Sequence, residues 1–115
     1  MASDKGNSDE STWMDIGTIG DLPPGTMKRY DLGHHRILVA NVAGTPLAVA
    51  DTCTHEDASL SMGALQGDKV KCPLHGSRFC LRGGQALDEP AEVGLECYAV
   101  RRNNGRLEIA INRDD

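Results

Sequence analysis

The chain is 115 residues long with a formal net charge of -5, and its apolar content is aliphatic, with one Trp, one Phe and two Tyr beside 13 Gly and 5 Pro. That length fits one domain able to bury about 60 to 70% of the surface its unfolded form exposes, and no stretch approaches the roughly 18 consecutive apolar residues of a membrane span. The acidic balance, with no dominating Lys/Arg cluster to neutralise phosphates, speaks against nucleic acid and favours a basic surface on a protein partner.

Residues 1–10 are mostly Ser, Asp, Asn, Gly and Lys without apolar periodicity, and read as a disordered tail ahead of a domain over 11–115. Apolar runs at 13–19 and 27–32, separated by the Pro23-Pro24-Gly25 turn, read as strands. Residues 35–42 are β-branched and aliphatic and, with 47–50 beyond Gly44-Thr45, predict a hairpin. Alternating polar and apolar residues over 68–72 predict a half-buried strand, and a short one is expected over 78–81 before the Gly83-Gly84 turn. A closing hairpin joins 95–101 to 107–111 across Asn103-Asn104-Gly105, where Asn-Gly supplies the positive φ such turns need. Segments 9–12 and 59–62 could seed brief helical turns. Many glycines and short runs together predict an all-β fold of antiparallel sheets.

The chemistry concentrates in two short motifs, Cys53-Thr54-His55 and, after sixteen intervening residues, Cys72-Pro73-Leu74-His75. Two thiolates and two imidazoles in matched pairs are the ligand set of a 2Fe-2S centre in which two His replace two Cys. Four thiolates would leave such a centre at a formal charge of about -2 before reduction, whereas two neutral imidazoles bring it to about zero, so an electron enters more easily. On this reading Cys53 and Cys72 hold one iron and His55 and His75 the other. Structural zinc also accepts two Cys and two His, but its sites usually pair Cys with Cys and His with His along the chain. Two disulfides would require an oxidising compartment, for which no targeting segment speaks; a cytoplasmic, unexported protein is expected.

With Glu56-Asp57-Ala58-Ser59-Leu60 after the first motif and Gly76-Ser77-Arg78-Phe79 after the second, the chain resembles the Rieske ferredoxins that serve multicomponent aromatic-ring dioxygenases. Asp21-Leu22-Pro23-Pro24-Gly25 and residues 101–111 fit the same family. The resemblance implies a Rieske fold whose cluster-binding part, about 51–82, presents two ligand loops at one tip. It implies no catalytic residue, and one-electron transfer from an NADH-dependent, FAD-containing ferredoxin reductase to a terminal non-haem iron oxygenase. A monomer is expected. A small subunit of an assimilatory nitrite reductase and a zinc-stabilised interaction module are the alternatives.

The same resemblance carries finer expectations. High-potential relatives add a disulfide where this chain has Ala58 and Leu74, and a Tyr where it has Phe79, which places the potential near the low end of the Rieske range, roughly -150 mV. Ser77 keeps one hydrogen-bond donor. Gly76 is expected to bring its N–H close to a bridging sulfide, Pro73 to stiffen the second loop, and residues 87–91 to cover the cluster. Cys80 and Cys97 lie at no ligand offset and are expected as buried thiols. Adjacent His34 and His35 should point to opposite faces of a strand and serve as turn or surface residues. Glu56, Asp57, Arg78 and Arg82 could meet a partner or only balance local charge.

Overall fold

The computed structural model describes residues 11–54, 57–74 and 76–112. The tail expected over 1–10 lies outside them. Among the described residues the strands are β1 (Ser11–Thr18), β2 (Met27–Leu32), β3 (His35–Val42), β4 (Thr45–Ala50), β5 (Ala64–Gln66), β6 (Lys69–Lys71), β7 (Arg78–Cys80), β8 (Cys97–Tyr98), β9 (Val100–Asn103) and β10 (Arg106–Asn112). They form three antiparallel sheets ordered β1-β10-β9, β2-β3-β4-β8 and β5-β6-β7.

The central sheet is covered on both faces, and β3 shows why its sequence is a continuous apolar run. Leu38, Ala40 and Val42 point into one core with Val49, Leu60, Val70, Phe79 and Leu81. The alternate residues Ile37 and Val39 join Ala48, Leu107, Ile109 and Ile111 in a second core. A strand buried on both faces needs apolar side chains at both phases of its two-residue period. The sheet β5-β6-β7 therefore sits over one face and β1-β10-β9 over the other.

Turn chemistry sets the registers. Ala43 and Gly44 at φ 53° and 94° join β3 to β4, and Asn104 and Gly105 at 55° and 81° join β9 to β10; both positions of such a two-residue turn need positive φ. Buried Asn41 fastens the first of these, accepting the Gly44 N–H (2.7 Å) and donating to the Leu22 carbonyl (2.8 Å). On the outer sheet the Arg101 guanidinium lies 3.9 Å from the centre of the Trp13 ring.

Several expectations need correction. The first strand ends at Thr18, and Ile19–Asp21 form a 3-10 turn capped by the Thr18 hydroxyl, which accepts the Gly20 N–H at 3.2 Å. Ser11 and Thr12 belong to β1 and not to a helical turn, whereas Leu60–Met62 does form one. The run over 95–101 divides: β8 pairs with β4 in the central sheet and β9 with β10 in the outer one. β5 carries no recognisable pattern in three residues, yet it pairs with β6 across a turn with Gly67 at φ 64°. His34 and His35 do not diverge: their rings stack with centroids 4.9 Å apart, because His34 lies in the turn after Gly33 and not within the strand. Exposed His34 and half-buried His35 join no metal-binding group among the described residues.

Candidate metal centre

Two loops carry the predicted ligands, and each is closed by its own backbone. In the first, the Cys53 N–H donates to the Ala58 carbonyl (2.9 Å) and Thr52 bridges to Ser59. In the second, the Cys72 N–H donates to the Ser77 carbonyl (2.8 Å). Cys53 and Cys72 are 3% and 2% exposed and belong to the same buried cluster as Leu60, Val70 and Phe79. No disulfide joins any of the four cysteines. An open hollow of about 340 Å³ adjoins Cys72, lined also by Met62, Gly63, Ala64, Lys71, Pro73 and Gly76. His55, Glu56 and His75 lie outside the described residues, and among those described no three His, Cys, Asp or Glu side chains converge as a metal-binding group.

The residues that are described fit an iron-sulfur centre. Two thiols come from two loops into one buried cluster with no disulfide between them, and a third loop lies across both. That loop approaches the second motif where the Ala91 N–H donates to Ser77 Oγ (3.2 Å) and the Leu87 N–H to the Arg78 carbonyl (2.8 Å). It reaches the first where the Thr54 hydroxyl donates to the Val93 carbonyl (2.6 Å). Ser77 is buried and uses an acceptor lone pair on Ala91, so its own proton remains to donate elsewhere. The Gly76 N–H donates to the Cys72 carbonyl at 3.1 Å, closing the turn, and its φ of 78° demands glycine.

Arg78 resolves as a structural residue. Its Nε meets Asp88 Oδ2 at 2.6 Å, its Nη2 meets Oδ1 at 3.2 Å, and its backbone N–H also donates to Asp88. The hydrogen bond from the Arg78 guanidinium leads in holding the Asp88 carboxyl below its ordinary value. A carboxylate depressed in the folded state stabilises the fold above its ordinary pKa, and that contribution disappears as pH falls through the folded value. Asp88→Asn should therefore lower the denaturation midpoint at neutral pH, with the difference from wild type narrowing below about pH 4 in circular dichroism. A difference that stayed constant into acid would contradict this role. Arg82 pairs with Asp68 through a single Nε–Oδ2 contact (3.1 Å). Asp57 is exposed.

Sequence reasoning missed Asp51. This carboxylate is 1% exposed. Its Oδ1 accepts the Ser61 N–H (2.8 Å), its Oδ2 accepts the Ser59 hydroxyl, and its carbonyl accepts the Leu60 N–H (2.7 Å). It thereby ties the start of the first ligand loop to its end, two residues before Cys53. Asp and Ser eight residues apart give no local signal. Asp51→Ala would strand the Ser61 N–H and leave the Ser59 hydroxyl only its contact with the Ser61 hydroxyl (2.9 Å), at a cost of about 1 to 3 kcal/mol in urea denaturation; a loss below about 0.5 kcal/mol would refute the assignment.

Cys80 is half-buried and Cys97 exposed, so the expectation of two buried thiols holds for neither in full. Cys97 opens a two-residue strand at the edge of its sheet, where only one flank is covered.

No helix among the described residues is long and apolar enough to cross a membrane. A family model described as the Rieske [2Fe-2S] domain matches residues 12–99. The ferredoxin component of biphenyl 2,3-dioxygenase from Rhodococcus jostii (strain RHA1) is 48% identical over 86 residues, covering 75% of this chain and 80% of that protein. A chain from the complex of reduced oxygenase and oxidized ferredoxin in carbazole 1,9a-dioxygenase is 35% identical with a TM-score of 0.81, covering 85% of this chain and 92% of its own length. A chain assigned as a nitrite reductase small subunit from Mycobacterium tuberculosis, 24% identical with a TM-score of 0.78 over 88% of this chain and 96% of its own, shares the fold alone. The chain belongs to the Rieske [2Fe-2S] domain family and is one of its ferredoxins, an electron carrier holding one Rieske-type 2Fe-2S cluster.

Proposed function

We propose that this ferredoxin takes single electrons from an NADH-dependent, FAD-containing reductase and delivers them to the terminal oxygenase of an aromatic-ring dioxygenase system. The bound cluster supplies reversible one-electron chemistry. Cys53 and Cys72 hold one iron from the buried side, His55 and His75 hold the other, and the cluster-binding part spans about 51–82 of a domain over 11–115. The observation that carries the reading is the pair of buried thiols on two loops latched by a third, in a chain similar along most of its length to a dioxygenase ferredoxin component.

The chain's own residues set the terms of transfer. Buried Phe79 brings no hydroxyl toward the site, which keeps the potential near the low end of the Rieske range, roughly -150 mV. Exposed Leu74 and Val93 flank the ligand loops and offer apolar contact to a partner, while the net charge of -5 favours a basic docking face. A monomer in the cytoplasm suits this role. Likeness of fold alone stands behind a nitrite reductase subunit.

Iron and acid-labile sulfide analysis of anaerobically purified protein should give two of each per chain. Titration should take up one electron, and NADH with a reductase and a dioxygenase oxygenase should sustain turnover only when the protein is added. Colourless, zinc-containing protein, or turnover indifferent to its presence, would overturn the reading.

A further inference from the structure

Cys80 and Cys97 stand outside the proposed ligand set. They end β7 and open β8, strands of different sheets, and Gly84 lies against the backbone of the one and the thiol of the other. The Gly84 N–H donates to the Cys80 carbonyl at 2.7 Å, and a Cβ on Gly84 would lie 3.0 Å from Cys97 Sγ and 2.3 Å from the Leu95 carbonyl oxygen. Two further backbone bonds close the same seam, Leu95 N–H to the Gly84 carbonyl (2.7 Å) and Cys80 N–H to the Gln85 carbonyl (2.9 Å). Gly84, at φ 80°, is thus where the turn after β7 rests directly on the chain entering β8, and any side chain there would wedge the two apart. Burial first, then Cys80, then Glu96 push the Cys97 thiol up.

We propose that Cys80 and Cys97 are a redox-modifiable dithiol that a low-molecular-weight disulfide, oxidised glutathione, closes into an intramolecular disulfide. The exposed Cys97 thiolate attacks one sulfur of oxidised glutathione and expels a glutathione thiolate, leaving glutathione bonded to Cys97. The Cys80 thiolate then attacks the Cys97 sulfur and expels the second glutathione. Two electrons pass from the cysteine pair to oxidised glutathione, and the two cysteine protons go to the released glutathione thiolates. The new bond would staple both ends of the loop that latches the ligand loops through Thr54 and Ser77.

Trypsin separates the two cysteines by cutting after Arg82, so the test reads peptides 79–82 and 83–101. Cluster-loaded protein is incubated with oxidised glutathione, alkylated, and digested without reductant. The expected result is these two peptides joined in monomeric protein and released by dithiothreitol. Cys80→Ser should instead leave a stable glutathione adduct on Cys97. Three results in the wild type would overturn the proposal: lasting glutathione adducts on Cys97, cross-links only between chains, or two thiols that remain fully alkylatable.

Discussion

Replacing His75 by Cys is expected to lower the reduction potential by roughly 200 mV or more, toward the value of about -400 mV typical of four-thiolate centres. The cause is charge. A neutral imidazole adds nothing to the formal charge of the oxidised centre, whereas a thiolate adds one negative charge, and an arriving electron is then repelled. Phe79→Tyr should shift the potential the other way, by adding a hydrogen-bond donor at a buried position beside the ligand loops. Spectroelectrochemistry decides both, and a His75→Cys protein that keeps its cluster and its potential would remove His75 from the ligand set.

Gly63→Ala should be severely damaging for a single methyl group. Gly63 ends the 3-10 turn that follows the first ligand loop, and its Cβ would stand 1.9 Å from the Lys71 carbonyl oxygen and 3.2 Å from that of Leu60. Both obstacles are backbone. Lys71 immediately precedes Cys72, so relief of the clash must move the second ligand loop or the turn after the first. A cost of about 3 kcal/mol is expected, the upper end of ordinary overpacking, with a Tm lower by roughly 10 °C and faster bleaching. Gly20→Ala is the control, since its Cβ meets only Thr18 Oγ1 at 3.6 Å. A Gly63→Ala protein indistinguishable from that control would show that the seam between the ligand loops is loose.

The hairpins were legible because their signals are local. β-branched and aliphatic composition on either side of Gly44 marks β3 and β4, and Asn104-Gly105 names its own turn. The proposed ligand motif stands out for a different reason, since iron-sulfur chemistry dictates residue types and spacing. What escaped reading depends on contacts between distant positions. β5 is three residues long and exists because β6 pairs with it. Asp51 looks like any loop aspartate until Ser59 and Ser61 fold back upon it. Arg78 could equally have docked a partner, and only the return of residue 88 settles its bidentate pairing. The run over 95–101 reads as one strand, but β8 and β9 satisfy different sheets on either side of Ala99.

Trp13 is the only tryptophan, and it sits in β1 with Arg101 over its ring, in a sheet that contains none of the cysteines. Its ultraviolet emission therefore reports on the layer across the central sheet from the ligand loops, while visible colour reports on the loops themselves. One cuvette can thus distinguish a variant that bleaches on an intact scaffold from one that collapses as a whole.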